Sequence, residues 1–196
     1  NLRKVAVFKD VKNDYSVGLS EVFTQTFTGL GGTVLGEEAY SEGDMDFKAQ
    51  LTKLVAMQPE AIFVPGYYTE VGLIARQARE LGFAGIFLGG DGWDSDKLVE
   101  IGQDAIVGGY FTNHYSVDDP SKAVQDFIAT YQAAYQGKPD GLAALGYDGA
   151  FALVGGAGPV VMLGLHELLG PAAVGGLTAA IAMATPPASP PHTPLR

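Results

Sequence analysis

The residues with the clearest chemical potential are one carboxylate and a few aromatic rings: Asp91 in "GGDGW", with Trp93 two positions on, and the tyrosine pair Tyr67 and Tyr68 in "VPGYYTEVG". An ammonium group leaving water needs an opposite charge, and ring faces around it add roughly 0.5–2 kcal/mol of cation–π attraction. Asp91 with Tyr67 meets both needs. A plainer reading of the same residues is a turn aspartate between glycines, strand-end tyrosines and a tryptophan over a core edge. Residue types alone leave both open.

Signatures of catalysis are weak. His114, His166 and His192 have no metal-ligand spacing between them. "DYSVG" lacks the first glycine of a nucleophile elbow, so Ser16 reads as part of a helix start. "GLGG" follows a helix, where a dinucleotide-binding turn would follow a strand. The acidic group Glu37, Glu38, Glu42, Asp44 and Asp46 reads as a solvated edge with a helix cap, against the alternative of a hard-cation site. A phosphoacceptor receiver would carry an aspartate where this chain has Val64, Pro65 and Gly66. No cofactor motif emerges, and the expectation is a non-enzymatic protein.

The elements that must hold these residues alternate regularly. "KVAVF" reads as a strand, Tyr15 to Leu30 as a helix, and "TVLGEEAY" as a second strand. Asp44 or Asp46 can cap a helix beginning near Phe47. "AIFVPG", "TEVGLIARQARELG" and "GIFLGG" predict strand, helix and strand, and another helix follows Asp94. "AIVGGYFTNHY" predicts a fifth strand, after which Asp119 and Pro120 open a helix to about Gln136. This order implies a three-layer α/β fold with a mostly parallel sheet and helices on both faces. Ligands on such sheets bind at the carboxyl ends of the strands. There the sequence sets Asp10, Asn13, Asp14, Tyr15 and Ser16, then Tyr67, Tyr68 and Thr69, then Asp91 and Trp93, then Asn113, His114 and Tyr115: a rim of rings and carboxylates.

Composition bounds the partners. The chain has 196 residues, 47% of them hydrophobic, and a formal net charge of -10, which disfavours nucleic acid because a phosphate backbone selects a basic face. With no cysteine there are no disulfides or thiolate sites. No run is long and apolar enough for membrane insertion, which takes ~20 residues. "NLRKVAVFKD" is not a signal peptide, so an export signal would lie upstream. Every Phe, Tyr and Trp lies at or before Phe151, while seven of the 11 prolines follow it. The expected organisation is therefore one lobe over residues 1–153 and an atypical Gly/Ala/Pro-rich tail over 154–196. That tail is expected to be partly helical, over 160–169 and 177–184, then disordered.

The motifs "KVAVFKDVKNDYSVGL", "GDMDFKAQLTKL", "AIFVPGYYTEVGLIARQARELG", "FLGGDGW", "GGYFTNHYSVDDP" and "ALGYDGA", in this order, give the chain a family resemblance. From about Lys4 to about Leu153 it resembles the second lobe of type I periplasmic substrate-binding proteins of ABC transporters, the leucine/isoleucine/valine-binding group. The resemblance implies a cleft between two lobes, closing on an amino acid for delivery to a membrane permease. It implies Asp91 as the ammonium partner, Tyr67 as a ring contact, Tyr15 at the cleft edge and Trp93 as a neighbour, with Tyr68 turned to packing. It further implies a periplasmic or extracellular location, compatible with lipid anchoring. A receptor or amide-type sensor lobe is the alternative with the same fold. The preceding first lobe and the usual continuation after "GYDGAFALV" are not matched, so weak ligand binding by this chain alone and self-association through the surface the first lobe would cover are further expectations.

Overall fold

The computed structural model describes residues 2–154. These fall into two compact units divided between Asn113 and His114, so the expected 1–153 region contains both. The expectations for the tail, including its helices, lie outside the described residues.

The first unit is built on a five-stranded parallel sheet in the order β2-β1-β3-β4-β5. Its strands are β1 (Lys4–Asp10), β2 (Thr33–Tyr40), β3 (Ala61–Phe63), β4 (Ile86–Gly89) and β5 (Tyr110–Phe111). Its helices are α1 (Asp14–Gly29), α2 (Lys48–Ala56), α3 (Tyr68–Glu80) and α4 (Asp96–Gly102). The central strands are apolar on both faces, as helix-covered parallel strands must be. Val5, Val7, Ala61 and Phe63 meet Leu19, Phe23 and Phe27 of α1. On the opposite face Ala6, Phe8, Ile62 and Val64 meet Leu51 and Leu54 of α2 and Val71, Ile74, Ala75 and Ala78 of α3. Each fully buried large side chain contributes about 1.5–3 kcal/mol. The three-layer expectation is therefore met.

Strand five departs from expectation. Ala105 and Ile106 belong to a 3-10 turn over Gln103–Ile106, and pairing with β4 is confined to Tyr110 and Phe111. The reason lies between them, where Gly108 adopts φ 80° and turns the chain before it can run alongside β4. The caps also shift. Asp46 Oδ1 accepts the Lys48 amide at 3.1 Å from just outside α2, while Asp44 Oδ2 closes on the Ser41 amide at 2.9 Å. Glu37 pairs with Lys9, and Glu38 with Lys53 at 3.0 Å, so the acidic edge is engaged in ion pairs and caps.

The second unit contains α5 (Lys122–Tyr135) and α6 (Gly141–Val154), with Tyr115, Val124, Phe127 and Ala144 buried. Here α5 starts after Ser121, not at Asp119 and Pro120, because the Asp119 carboxylate takes the Ser121 amide at 2.7 Å and completes a turn first. Among the described residues no helix is long and apolar enough to cross a membrane.

Candidate functional site

Three elements of the first unit bring the predicted residues together. Asn13 caps α1, its side-chain oxygen accepting the Tyr15 amide at 3.0 Å, which fixes Tyr15 in the first helical turn beyond β1. Tyr67 stands at the N-cap of α3 in extended conformation, φ -94° and ψ 158°, so its side chain leaves the helix at the rim and is 37% exposed. Asp91 opens a short 3-10 turn after β4. All three positions follow the carboxyl ends of strands.

The contacts are specific. The Tyr15 hydroxyl donates to Asp91 Oδ1 at 2.7 Å and accepts the Gly92 amide at 3.0 Å. The rings of Tyr15 and Tyr67 stack with centroids 5.4 Å apart and 25° between planes. Burial, reinforced by the Asp91 carboxylate and opposed by the Gly92 N–H, holds the Tyr15 pKa well above the ordinary tyrosine range. The phenol is therefore neutral at physiological pH and can donate to the carboxylate. Together these groups present a carboxylate beside a pair of ring faces, which is chemistry suited to an ammonium ion.

Close packing makes the cluster compact. A Cβ at Gly92 would lie 2.8 Å from the Gly66 carbonyl oxygen and 3.1 Å from the Tyr67 ring. Glycine at 92 thus lets the β4 and β3 loops touch. In the sequence this residue looked like turn vocabulary; its role in bringing Tyr67 toward Asp91 is visible only in the assembled loops.

Trp93 requires a correction. It is 1% exposed, and its indole N–H donates to the Val64 carbonyl at 2.9 Å. Its ring also fills the space above Gly89, where a Cβ would approach within 2.1 Å. Trp93 supports the Asp91 turn from beneath, in the core, instead of joining the rim. Tyr68 packs against the core cluster, as expected. Asp10 and Ser16 are buried too, the Ser16 hydroxyl accepting the Asp10 amide at 2.9 Å and thereby fastening α1 to the end of β1.

A cavity of about 450 Å³ lies elsewhere in this unit. Leu19, Phe23, Phe63, Leu88, Tyr110 and Phe111 line it between α1 and the β4–β5 edge. It lacks a charged side chain, so the polar cluster is the stronger candidate for recognising a charged solute.

A family model described as periplasmic binding protein matches residues 2–159. The Leu/Ile/Val-binding protein BraC3 of Rhizobium johnstonii is 34% identical over 129 residues, covering 65% of this chain and 35% of that protein. A leucine-, isoleucine-, valine-, threonine- and alanine-binding protein of Pseudomonas aeruginosa is 30% identical over 126 residues, covering 63% of this chain and 34% of that one. Among solved structures, the leucine-binding protein LivK of Thermotoga maritima superposes with a TM-score of 0.73 at 45% identity, covering 78% of this chain and 44% of its own. The branched-chain amino acid transporter substrate-binding protein LivJ of Streptococcus pneumoniae, in complex with isoleucine, gives a TM-score of 0.70 at 32% identity over 83% of this chain and 47% of that chain. The chain thus spans between a third and a half of the length of these proteins.

Proposed function

Because the chain belongs to the periplasmic binding protein family, we propose that it forms one wall of an amino-acid-binding cleft in a solute-binding protein that serves an ABC importer. Asp91 pairs with the solute's ammonium group. Tyr67 and Tyr15 supply ring faces beside it, and the Tyr15 hydroxyl keeps the carboxylate oriented. The binding is non-enzymatic, and its place is the periplasm or the extracellular face.

The observation that carries this reading is the hydrogen bond from Tyr15 to Asp91 within a stacked tyrosine pair. A carboxylate already oriented by a neutral donor loses little freedom on meeting a cation, so more of the Coulomb attraction appears as affinity. The family relatives add the chemical class, since those named above are leucine-, isoleucine- or valine-binding proteins. Closure over the solute by the remaining length of a full protein would exclude water and strengthen these contacts. A permease is then the partner, reading the closed form.

The test is an NMR titration of the 196-residue chain with L-leucine and with its desamino analogue, 4-methylpentanoate. Weak, saturable shifts at Tyr15, Tyr67 and Asp91 with leucine, and none with the analogue, are expected. Equal responses to both would exclude ammonium recognition.

A further inference from the structure

Tyr40 ends β2 beside Asp10, its register partner on β1. Its ring is 3% exposed and packs edge-on against Phe8 at 5.0 Å and Phe47 at 5.5 Å. That much is ordinary core. The hydroxyl is not, because it is buried with no hydrogen-bond partner among the described residues. Leaving a buried hydroxyl unsatisfied is unfavourable, and phenylalanine would fill the same ring space without it.

The hydroxyl touches one place of consequence. It lies against Gly66, where a Cβ would come within 2.1 Å of its oxygen. The other neighbours of that Cβ, Tyr40 Cζ at 3.4 Å and Val71 Cγ2 at 3.7 Å, are at ordinary contact. Gly66 does not adopt a positive φ, so position 66 needs glycine for room and not for conformation. Gly66 directly precedes Tyr67, and its carbonyl faces Gly92, the residue whose amide binds the Tyr15 hydroxyl. Burial and the nearby Asp10 and Glu70 carboxylates keep the Tyr40 phenol neutral well beyond the ordinary tyrosine range. It therefore acts here as a small uncharged strut.

We propose that Tyr40 is a positioning residue for Tyr67: its hydroxyl, seated in the space left by Gly66, braces the turn that holds the Tyr67 ring against Tyr15. The proposal rests on the reading of Tyr67 as a wall of the solute site, but its geometry can be tested without any ligand. The oxygen and a Cβ at position 66 compete for one volume. A methyl there should replace the hydroxyl as the brace once the hydroxyl is gone.

The experiment compares Tyr40→Phe, Gly66→Ala and the double variant in the 196-residue chain. Three readouts are needed: the urea midpoint, the NOEs between the rings of Tyr15 and Tyr67, and the leucine affinity by NMR. Tyr40→Phe should leave the midpoint unchanged or raised while weakening the ring NOEs and lowering affinity about fivefold. A residue that merely filled the core would leave the NOEs and the affinity unchanged in this variant, because phenylalanine keeps the ring. Gly66→Ala alone should lower the midpoint and weaken the NOEs, because methyl and hydroxyl collide. The double variant should restore the NOEs, and affinity to within about twofold. Unchanged NOEs in Tyr40→Phe, or a double variant no better than Gly66→Ala, would overturn the proposal. If the NOEs follow this pattern while the unaltered chain shows no response to leucine, the positioning role stands and the amino-acid reading falls.

Discussion

The Tyr15 hydroxyl donates to Asp91 Oδ1 at 2.7 Å across 76 positions of sequence, joining the start of α1 to the loop after β4. The same oxygen accepts the Gly92 amide. One side chain thus fixes both the orientation of the carboxylate and the path of the loop that carries it.

Replacing Tyr15 by phenylalanine keeps the ring stack and removes both hydrogen bonds. The expected cost is about 1–2 kcal/mol in urea unfolding, since one of the two bonds is to a carboxylate. Leucine-induced shifts at Asp91 should weaken in parallel. Full stability and full response in this variant would show that the hydroxyl does not organise the site.

Alkaline titration provides a second check. The folded-state pKa values of Tyr15 and Tyr40 are both raised, mainly by burial. A group whose folded pKa is raised favours the folded state below its unfolded pKa of about 10 and loses that contribution as pH climbs through the folded value. Phenolate absorbance should therefore include Tyr15 and Tyr40 ionising above the ordinary tyrosine range, and stability should fall on the alkaline side of pH ~10. Tyr15→Phe and Tyr40→Phe should each remove one group ionising above that range. Ionisation of either within the ordinary tyrosine range would contradict the burial of both phenols.

Gly92→Ala tests the contact between loops. A methyl placed 2.8 Å from the Gly66 carbonyl must push one loop away, and overpacking of this kind costs about 1–3 kcal/mol. The Tyr15–Tyr67 ring NOEs should weaken with it. A variant as stable as the parent, with unaltered NOEs, would mean that the loops are free to separate.

Arg79 secures the far end of the same sheet. Its Nη1 donates to the Phe83 and Gly85 carbonyls at 2.7 and 2.8 Å, its Nε donates to the Ala105 carbonyl at 3.2 Å, and its guanidinium lies 4.7 Å from the Phe87 ring centroid. Lysine has neither the planar fork nor the reach to serve three carbonyls. Arg79→Lys should lower unfolding free energy by about 2 kcal/mol, while the proposed solute site, at the opposite strand ends, should respond to leucine as in the parent chain.

Much of this organisation is legible in the sequence because hydrophobic period and turn residues report local structure. "TVLGEEAY" is β2 from first residue to last, and α3 is closed by Gly82 at φ 86°, as its glycine implied. Strand five is shorter than its composition implies, because Ala105 and Ile106 are apolar like a strand whereas Gly108 turns the chain after them. At the site, sequence position could locate Tyr15, Tyr67 and Asp91 at strand ends. It could not show which way each side chain turns. Trp93 stands two residues from Asp91 and faces the core, because its indole N–H finds the Val64 carbonyl there. Tyr40 had no local signal beyond closing a strand. Its relation to Gly66 exists only after β1, β2 and β3 are aligned in register.

The central claim is that Asp91 supplies the charge for an ammonium-bearing solute. Comparing leucine titrations of the parent chain and Asp91→Asn, with the Tyr15 and Tyr67 ring signals as reporters, tests it most directly. Loss of the opposite charge with shape preserved should lower affinity at least about tenfold, while unfolding shows the variant still folded. An Asp91→Asn chain that stays folded and binds leucine as the parent does would contradict the account.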